Sequence, residues 1–232
     1  MPSSLLLLGP DGFSYAILTF ASYAFAGWIL ETLYRSLSEK RLVNPGFLKG
    51  PFLPLYGSFG LLATLTSPWV SALGWEGRFL YFVVLSTTLE YISGLCLEHL
   101  FHLRLWDYQN TPLNFQGRVA LPYSLLWGAL GIFLSSVIQP RFSFSLLGMP
   151  STLRFVLSLI FIVYLIWDVI QSSLLLRRLA LIIIAFERNH GHRSYERLVL
   201  ILRPFRRLLS SYPKLRDAVS EIISLIQAKH DS

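Results

Sequence analysis

The chain has 232 residues, 53% of them hydrophobic and 14% charged, with a mean hydropathy of +0.54. Soluble domains run nearer a quarter charged, so the composition excludes an ordinary soluble domain and points to a polytopic membrane protein. The net charge is +7, and the single cysteine, Cys96, excludes an intrachain disulfide; in its apolar segment it reads as a small packing side chain.

Residues 1–12 carry no Lys or Arg, and the apolar run Leu5–Leu8 is short for a signal-peptide core. No removable leader is expected, and no lipidation motif stands at either end. A spanning helix needs roughly 20 mostly apolar residues. Five stretches qualify, at about 13–34, 52–73, 79–101, 119–138 and 154–176. Between them lie Asn44-Pro45-Gly46, Gly74, Pro112, Pro140 and Pro150, residues that break helices. No internal repeat is visible, so an inverted-repeat transporter architecture has no support. The expected fold is all-α: a membrane helix bundle of about five transmembrane helices over residues 1–176. Residues 177–232 are expected to form a basic, amphipathic, cytoplasmic helical tail.

Orientation follows from the cations. With the N-terminus outside, cytoplasmic segments hold 17 Lys and Arg, and outside segments hold only Arg78, Arg141 and Arg154. The positive-inside bias therefore places the N-terminus outside and the C-terminus in the cytoplasm.

In the first span, Glu31 and Tyr34 fall near the cytoplasmic face. Glu31 precedes Arg35 by four residues, so it is either half of an interfacial ion pair or part of a site. The loop 44–60 is rich in Pro and Gly, with Pro51 and Pro54 suited to a first helical turn. Irregular backbone of this kind is tolerated at membrane depth only where it is buried or lines a cavity.

The third span carries the most informative residues. Glu90, Gly94 and Glu98 recur every four positions, close to one helix face. At 1.5 Å per residue Glu90 lies about 16 Å inside the cytoplasmic end. A carboxylate at that depth costs about 2.5–3.5 kcal/mol on insertion scales. It reads either as a site for a cation, proton or polar head group, or as a packing residue held by a partner from another span. Gly94 leaves room for a neighbouring helix or a ligand. The loop 102–118 follows, with Asp107, Asn110, Asn114, Pro112 and Gly117 as turn formers. Arg118 suits binding of phosphate or carboxylate, or neutralises Asp107 or Glu98. Trp106, Tyr108 and Tyr123 read as pocket lining or as an interfacial aromatic belt. Asp168 is a lone deep carboxylate in the last span, and either completes the site or meets a partner subunit.

In the tail, Leu198, Ile201, Leu202, Phe205, Leu208 and Leu209 form one stripe, with Arg197, Arg203, Arg206 and Arg207 off it. This pattern is expected of a helix lying on anionic lipid or docking on a partner protein, kinked at Pro204. A second stripe comprises Leu215, Val219, Ile222, Ile223 and Ile226. No nucleic-acid partner is expected, because apolar periodicity rather than aromatic interleaving accompanies the charge. No P-loop, G-x-S-x-G or H-E-x-x-H motif occurs. His99 and His102 are three apart beside Glu98 and read as interfacial histidines rather than metal ligands.

These residues together resemble the ABC-transporter type IV, or CmpB-like, family of membrane proteins. The resemblance rests on Gly27-Trp28-x-x-Glu31-x-x-Tyr34, Asn44-Pro45-Gly46, and Gly50-Pro51-x-x-Pro54-x-Tyr56-Gly57. It continues in Glu90-Tyr91-x-x-Gly94-x-x-x-Glu98 and Trp106-Asp107-Tyr108. Pro112-x-Asn114-x-x-Gly117-Arg118 and Pro122-Tyr123-x-x-Trp127-Gly128 complete it, so that it covers roughly residues 14–138. It implies a bacterial cytoplasmic-membrane protein of permease type and brings no agreed substrate or catalytic residues.

The residues expected to bind substrate are Glu31, Glu90, Glu98, Asp107, Asn114, Arg118 and Tyr123, around a cytoplasm-facing polar cavity. No cofactor is assigned and no metal is expected. Three functions stay open: a permease component with a separate ATPase subunit and a homo-oligomeric assembly, a membrane enzyme acting on a lipid or isoprenoid head group, and a non-catalytic scaffold.

Overall fold

The computed structural model describes residues 11–102, 104–188 and 202–212, with Arg216, Asp217, Val219, Ser220 and Ser224 beyond them. The reading of the first ten residues as no leader lies outside the described residues, as do Leu198, Ile201, Leu215, Ile222, Ile223 and Ile226 of the tail stripes.

The molecule is a bundle of helices, as its composition requires. In chain order it comprises α1 (Gly12–Glu39), α2 (Pro54–Val70) and α3 (Trp75–Phe101). A two-stranded hairpin follows, with β1 at Asn114–Phe115 and β2 at Val119–Ala120. Helix α4 (Leu121–Phe133) runs through a π turn at Leu134–Ile138 into α5 (Gln139–Leu147), and α6 (Ser151–Arg188) is the longest element. A 3-10 turn at Arg203–Phe205 and the short α7 (Arg206–Ser211) end the description.

Four stretches are long and apolar enough to cross a membrane: Gly12–Glu39, Trp75–Phe101, Leu121–Leu147 and Ser151–Ile182. The expected second span is shorter than the sequence suggests. It forms the 17-residue α2, which starts on Pro54 and contains Pro68, and it sits at the lower limit of a crossing length. Nonetheless α2 runs antiparallel to α1 along its length, because glycines let the two backbones approach. A Cβ on Gly27 would enter the Tyr56 ring, and one on Gly60 would enter the Tyr23 ring.

One end of the bundle carries residues 40–53 and the hairpin. At the other end, Arg154 pairs with Asp11 at 3.1 Å and donates to the carbonyls of Leu146, Leu147 and Met149. A buried cation is thus matched to carbonyls at the C-terminal end of α5 and just past it.

The tail departs from its expected place on lipid. Leu202, Phe205 and Leu208 are buried against Leu105, Leu176 and Leu179, with Tyr212 and Val219 in the same cluster. The physical reason is α6, which continues past residue 176 and so presents Leu176 at the end of the expected membrane segment and Leu179 beyond it; the tail stripe covers them. The kink expected at Pro204 is present as the 3-10 turn. Ser211 donates to the Asn44 carbonyl at 2.6 Å, and Arg41 donates to the Ser210 carbonyl at 2.9 Å. Phe205→Ala is expected to remove about 3–5 kcal/mol of packing and to open residues 202–212 to limited proteolysis while the bundle stays intact. An unchanged cleavage pattern would refute that docking.

Candidate functional site

The hairpin loop positions the site, and its own side chains hold its shape. Asp107 accepts from the Gln109 amide at 2.9 Å. The Asn114 side chain donates to the Gln109 and Thr111 carbonyls and accepts from the Gly117 amide. Gly117 has φ +69°, and a Cβ there would stand 2.6 Å from Asp107 Oδ1, so only glycine fits. Asp107 and Asn114, both expected at the substrate, are thereby engaged in holding the loop.

The loop returns one aromatic residue to the bundle. Tyr108 donates its hydroxyl to Glu90 Oε1 at 2.9 Å and stacks on Tyr123 with ring centroids 4.7 Å apart. Burial, and then the Glu90 charge, hold the Tyr108 phenol well above its usual range, so it donates as a neutral hydroxyl. Glu90 is 6% exposed, and its Oε2 is buried with no hydrogen-bond partner among the described residues. Tyr123 is 40% exposed and leaves one side of the cluster open.

Glu31 belongs to the same cluster. Rather than pairing with Arg35, it accepts from the Tyr56 hydroxyl at 3.0 Å; Arg35 pairs with Glu39 at 3.4 Å. The Tyr56 ring lies against Trp127, with centroids 4.7 Å apart. Glu31, Tyr56, Glu90 and Tyr108 lie within electrostatic reach of one another. Two carboxylate–phenol pairs, each backed by a second aromatic ring, therefore lie near one another, with Glu90 the buried member and the other three half-buried.

Glu98 and Arg118 form a separate group one turn from the end of α3. Arg118 Nη2 lies 2.6 Å from Glu98 Oε2, and Arg104 Nε lies 2.8 Å from Oε1. Arg118 also donates to Gln116, and its guanidinium stands 5.5 Å from the Tyr91 ring centre. Gly94 makes room here for Trp106 and Arg118, whose nearest atoms would lie 3.3 and 3.6 Å from a Cβ. The cavity among Gly94, Glu98, Trp106 and Arg118 measures about 10 Å³, which holds one water at most. The expected cytoplasm-facing cavity is thus filled at this level by ion pairs.

Asp168 joins neither group. Its Oδ1 accepts from the Lys49 amide at 3.0 Å and from Ser172, and its Oδ2 accepts from the Gly50 amide at 2.8 Å. It latches loop 44–51 to α6. Among the described residues no three of His, Cys, Asp and Glu come together as a metal site. Sequence reasoning passed over Tyr56, Trp127 and Arg104 as site residues. Only the Gly27–Tyr56 approach and the helix end beside Glu98 bring them in, and neither leaves a periodic signal.

Apolar helices of spanning length around a buried polar cluster define a multi-pass membrane protein. The family model described as "Putative ABC-transporter type IV" matches residues 18–173, and the chain belongs to that family. No curated protein and no solved structure matches it.

Proposed function

We propose that this chain is a permease-like membrane component whose polar centre is the Glu31–Tyr56 and Glu90–Tyr108 cluster. The observation that carries the reading is Glu90: a carboxylate 6% exposed, with one oxygen held by Tyr108 and the other without a partner among the described residues. Ionisable groups at such depth are expensive to keep and mark pathways for solutes or protons. The family and the apolar helices support a transport role.

In this reading the N-terminus is outside and the C-terminus cytoplasmic, with α2 completing a fifth pass. The cation distribution supports it. Energy would come from a separate ATPase subunit, since the sequence has no P-loop, and loop 40–53 with the hairpin would form its docking face. Five passes are few for a pathway, so a second copy of the chain would complete it.

The test has two arms. Purification from native membranes in mild detergent is expected to bring a stoichiometric ATPase, lost when Asn114→Ala loosens the hairpin. Glu90→Gln keeps an acceptor for Tyr108 and is expected to fold normally, yet to fail to complement a deletion strain. Full complementation by Glu90→Gln would place the function elsewhere. A chain that purifies alone, with membrane lipids altered by Glu90→Gln, would favour an enzyme acting on a lipid or isoprenoid head group instead.

A further inference from the structure

The Glu31–Glu90 cluster contains an imbalance that its own residues do not resolve. Two carboxylates lie within electrostatic reach of each other, the described ion pairs commit four arginines of this end elsewhere, and Lys40 and Lys49 are exposed and in no described ion pair. Arg104 and Arg118 hold Glu98, and Arg35 and Arg41 hold Glu39. Among the described residues, therefore, neither Glu31 nor Glu90 has a cationic partner.

Protonation alone leaves the problem in place. A proton on Glu90 Oε2 turns a buried acceptor without a donor into a buried donor without an acceptor. Either form carries the penalty of an unmade hydrogen bond. The group that satisfies Oε2 has to bring a donor into the cluster, and two carboxylates favour a positively charged one.

The walls narrow the chemistry further. Tyr56 bonds Glu31 and Tyr108 bonds Glu90, and a second ring, Trp127 or Tyr123, lies against each tyrosine with centroids 4.7 Å apart. Aromatic faces attract ammonium groups through their quadrupole. Among the described residues no third Asp, Glu, His or Cys joins the two carboxylates as a metal site. A water donor would satisfy Oε2 but would leave both carboxylates uncompensated.

We propose that the Glu31–Glu90 cluster binds the protonated amino group of an organic amine, with an N–H donated to Glu90 Oε2 and the cation seated against the aromatic rings. The proposal rests on the functional reading above and names its substrate class. The 40%-exposed Tyr123 is the side from which the amine enters.

The test is the thermal stability of the full chain in detergent, titrated with methylammonium chloride. Sodium chloride and tetramethylammonium chloride at equal ionic strength are the comparators. A ligand at tenfold excess over its Kd is expected to raise Tm by about 3–5 °C, saturably, with methylammonium. Tetramethylammonium, which has no N–H, gives less than half of that shift, and sodium gives none. Glu90→Gln abolishes the shift. Glu31→Gln reduces it at least tenfold in apparent Kd and serves as the second variant if Glu90→Gln proves unstable. Glu39→Gln, outside the cluster, leaves it unchanged.

An equal response to sodium, an equal response to tetramethylammonium, or a shift that survives in both glutamine variants overturns the proposal. None of these outcomes bears on complementation by Glu90→Gln, so the ligand class and the functional centre can fail separately.

Discussion

Asp168→Ala is expected to be among the most destabilising single truncations in the bundle, at about 3–5 kcal/mol, because it strands several donors at once. The Lys49 and Gly50 amides and the Ser172 hydroxyl all donate to this carboxylate, which is 4% exposed. Ser172 Oγ also accepts from Lys49, at 3.1 Å, so one amide keeps a partner while the Gly50 amide keeps none that is described. Loop 44–51 should then come away from α6, and the melting midpoint in detergent should fall by about 10 °C. Asp168→Asn retains one acceptor oxygen and should recover roughly half of the loss. If the alanine and asparagine variants melt together, the backbone amides are not what the carboxylate holds.

The second large effect is steric. Gly27→Leu should cost about 3 kcal/mol or more, at the upper end of what overpacking usually costs. A Cβ at this position falls inside the Tyr56 ring, and that ring carries the hydroxyl bonded to Glu31. The variant therefore pushes α1 from α2 and breaks up half of the polar cluster in one step. Gly27→Ala should act in the same direction with a smaller loss. Alanine at position 56 would keep a Cβ 2.5 Å from the new one, so Gly27→Leu is combined with Tyr56→Gly, which removes the obstacle; the pair should be less destabilised than the sum of its members, and melting midpoints of the four proteins measure the coupling. Additive losses would mean that the two helices do not meet at this point.

Most of the architecture could be read from the residues, because lipid leaves so few solutions for a backbone. Long apolar runs had to become helices, and Pro54, Gly74 and Pro150 mark where they begin. The depth of Glu90 followed from counting residues along α3. What could not be read is which polar group meets which. Arg118 faced a choice between Asp107 and Glu98, and the choice depends on a hairpin whose path is set by Asn114 and Gly117 together. Asp168 was a lone carboxylate in sequence because its partners are main-chain amides 118 and 119 positions away, and amides carry no sequence mark. The tail stripe was read as lipid-facing because periodicity identifies an apolar face but not what covers it. Leu176 and Leu179, at and just past the expected end of the last span, supplied that cover.

The loop that Asp168 holds is tied on three sides. Trp28 donates to the Asn44 side chain at 2.6 Å, Asp168 accepts from Lys49 and Gly50, and Ser211 donates to the Asn44 carbonyl. Helices α1 and α6 and the tail thus form one framework at this end, with α2 packed along α1. Helix α3, the hairpin and α4 form a second unit, joined internally by Glu90–Tyr108, Glu98–Arg118 and Thr87–Ser124. Between the units at this end, among the described residues, run apolar contacts without hydrogen bonds, such as Tyr56 on Trp127, Phe47 near Phe101, and Leu105 against α6 and the tail. Toward the far end, Thr66 bonds Tyr81 at 2.6 Å, and Phe59, Val70 and Phe82 share one core. Apolar surfaces slide over one another more cheaply than hydrogen bonds break, so a separation of the two units would run along this seam. Such a separation would pivot on the α2–α3 contacts and would reach the Glu31–Tyr56 and Glu90–Tyr108 pairs, which lie in different units.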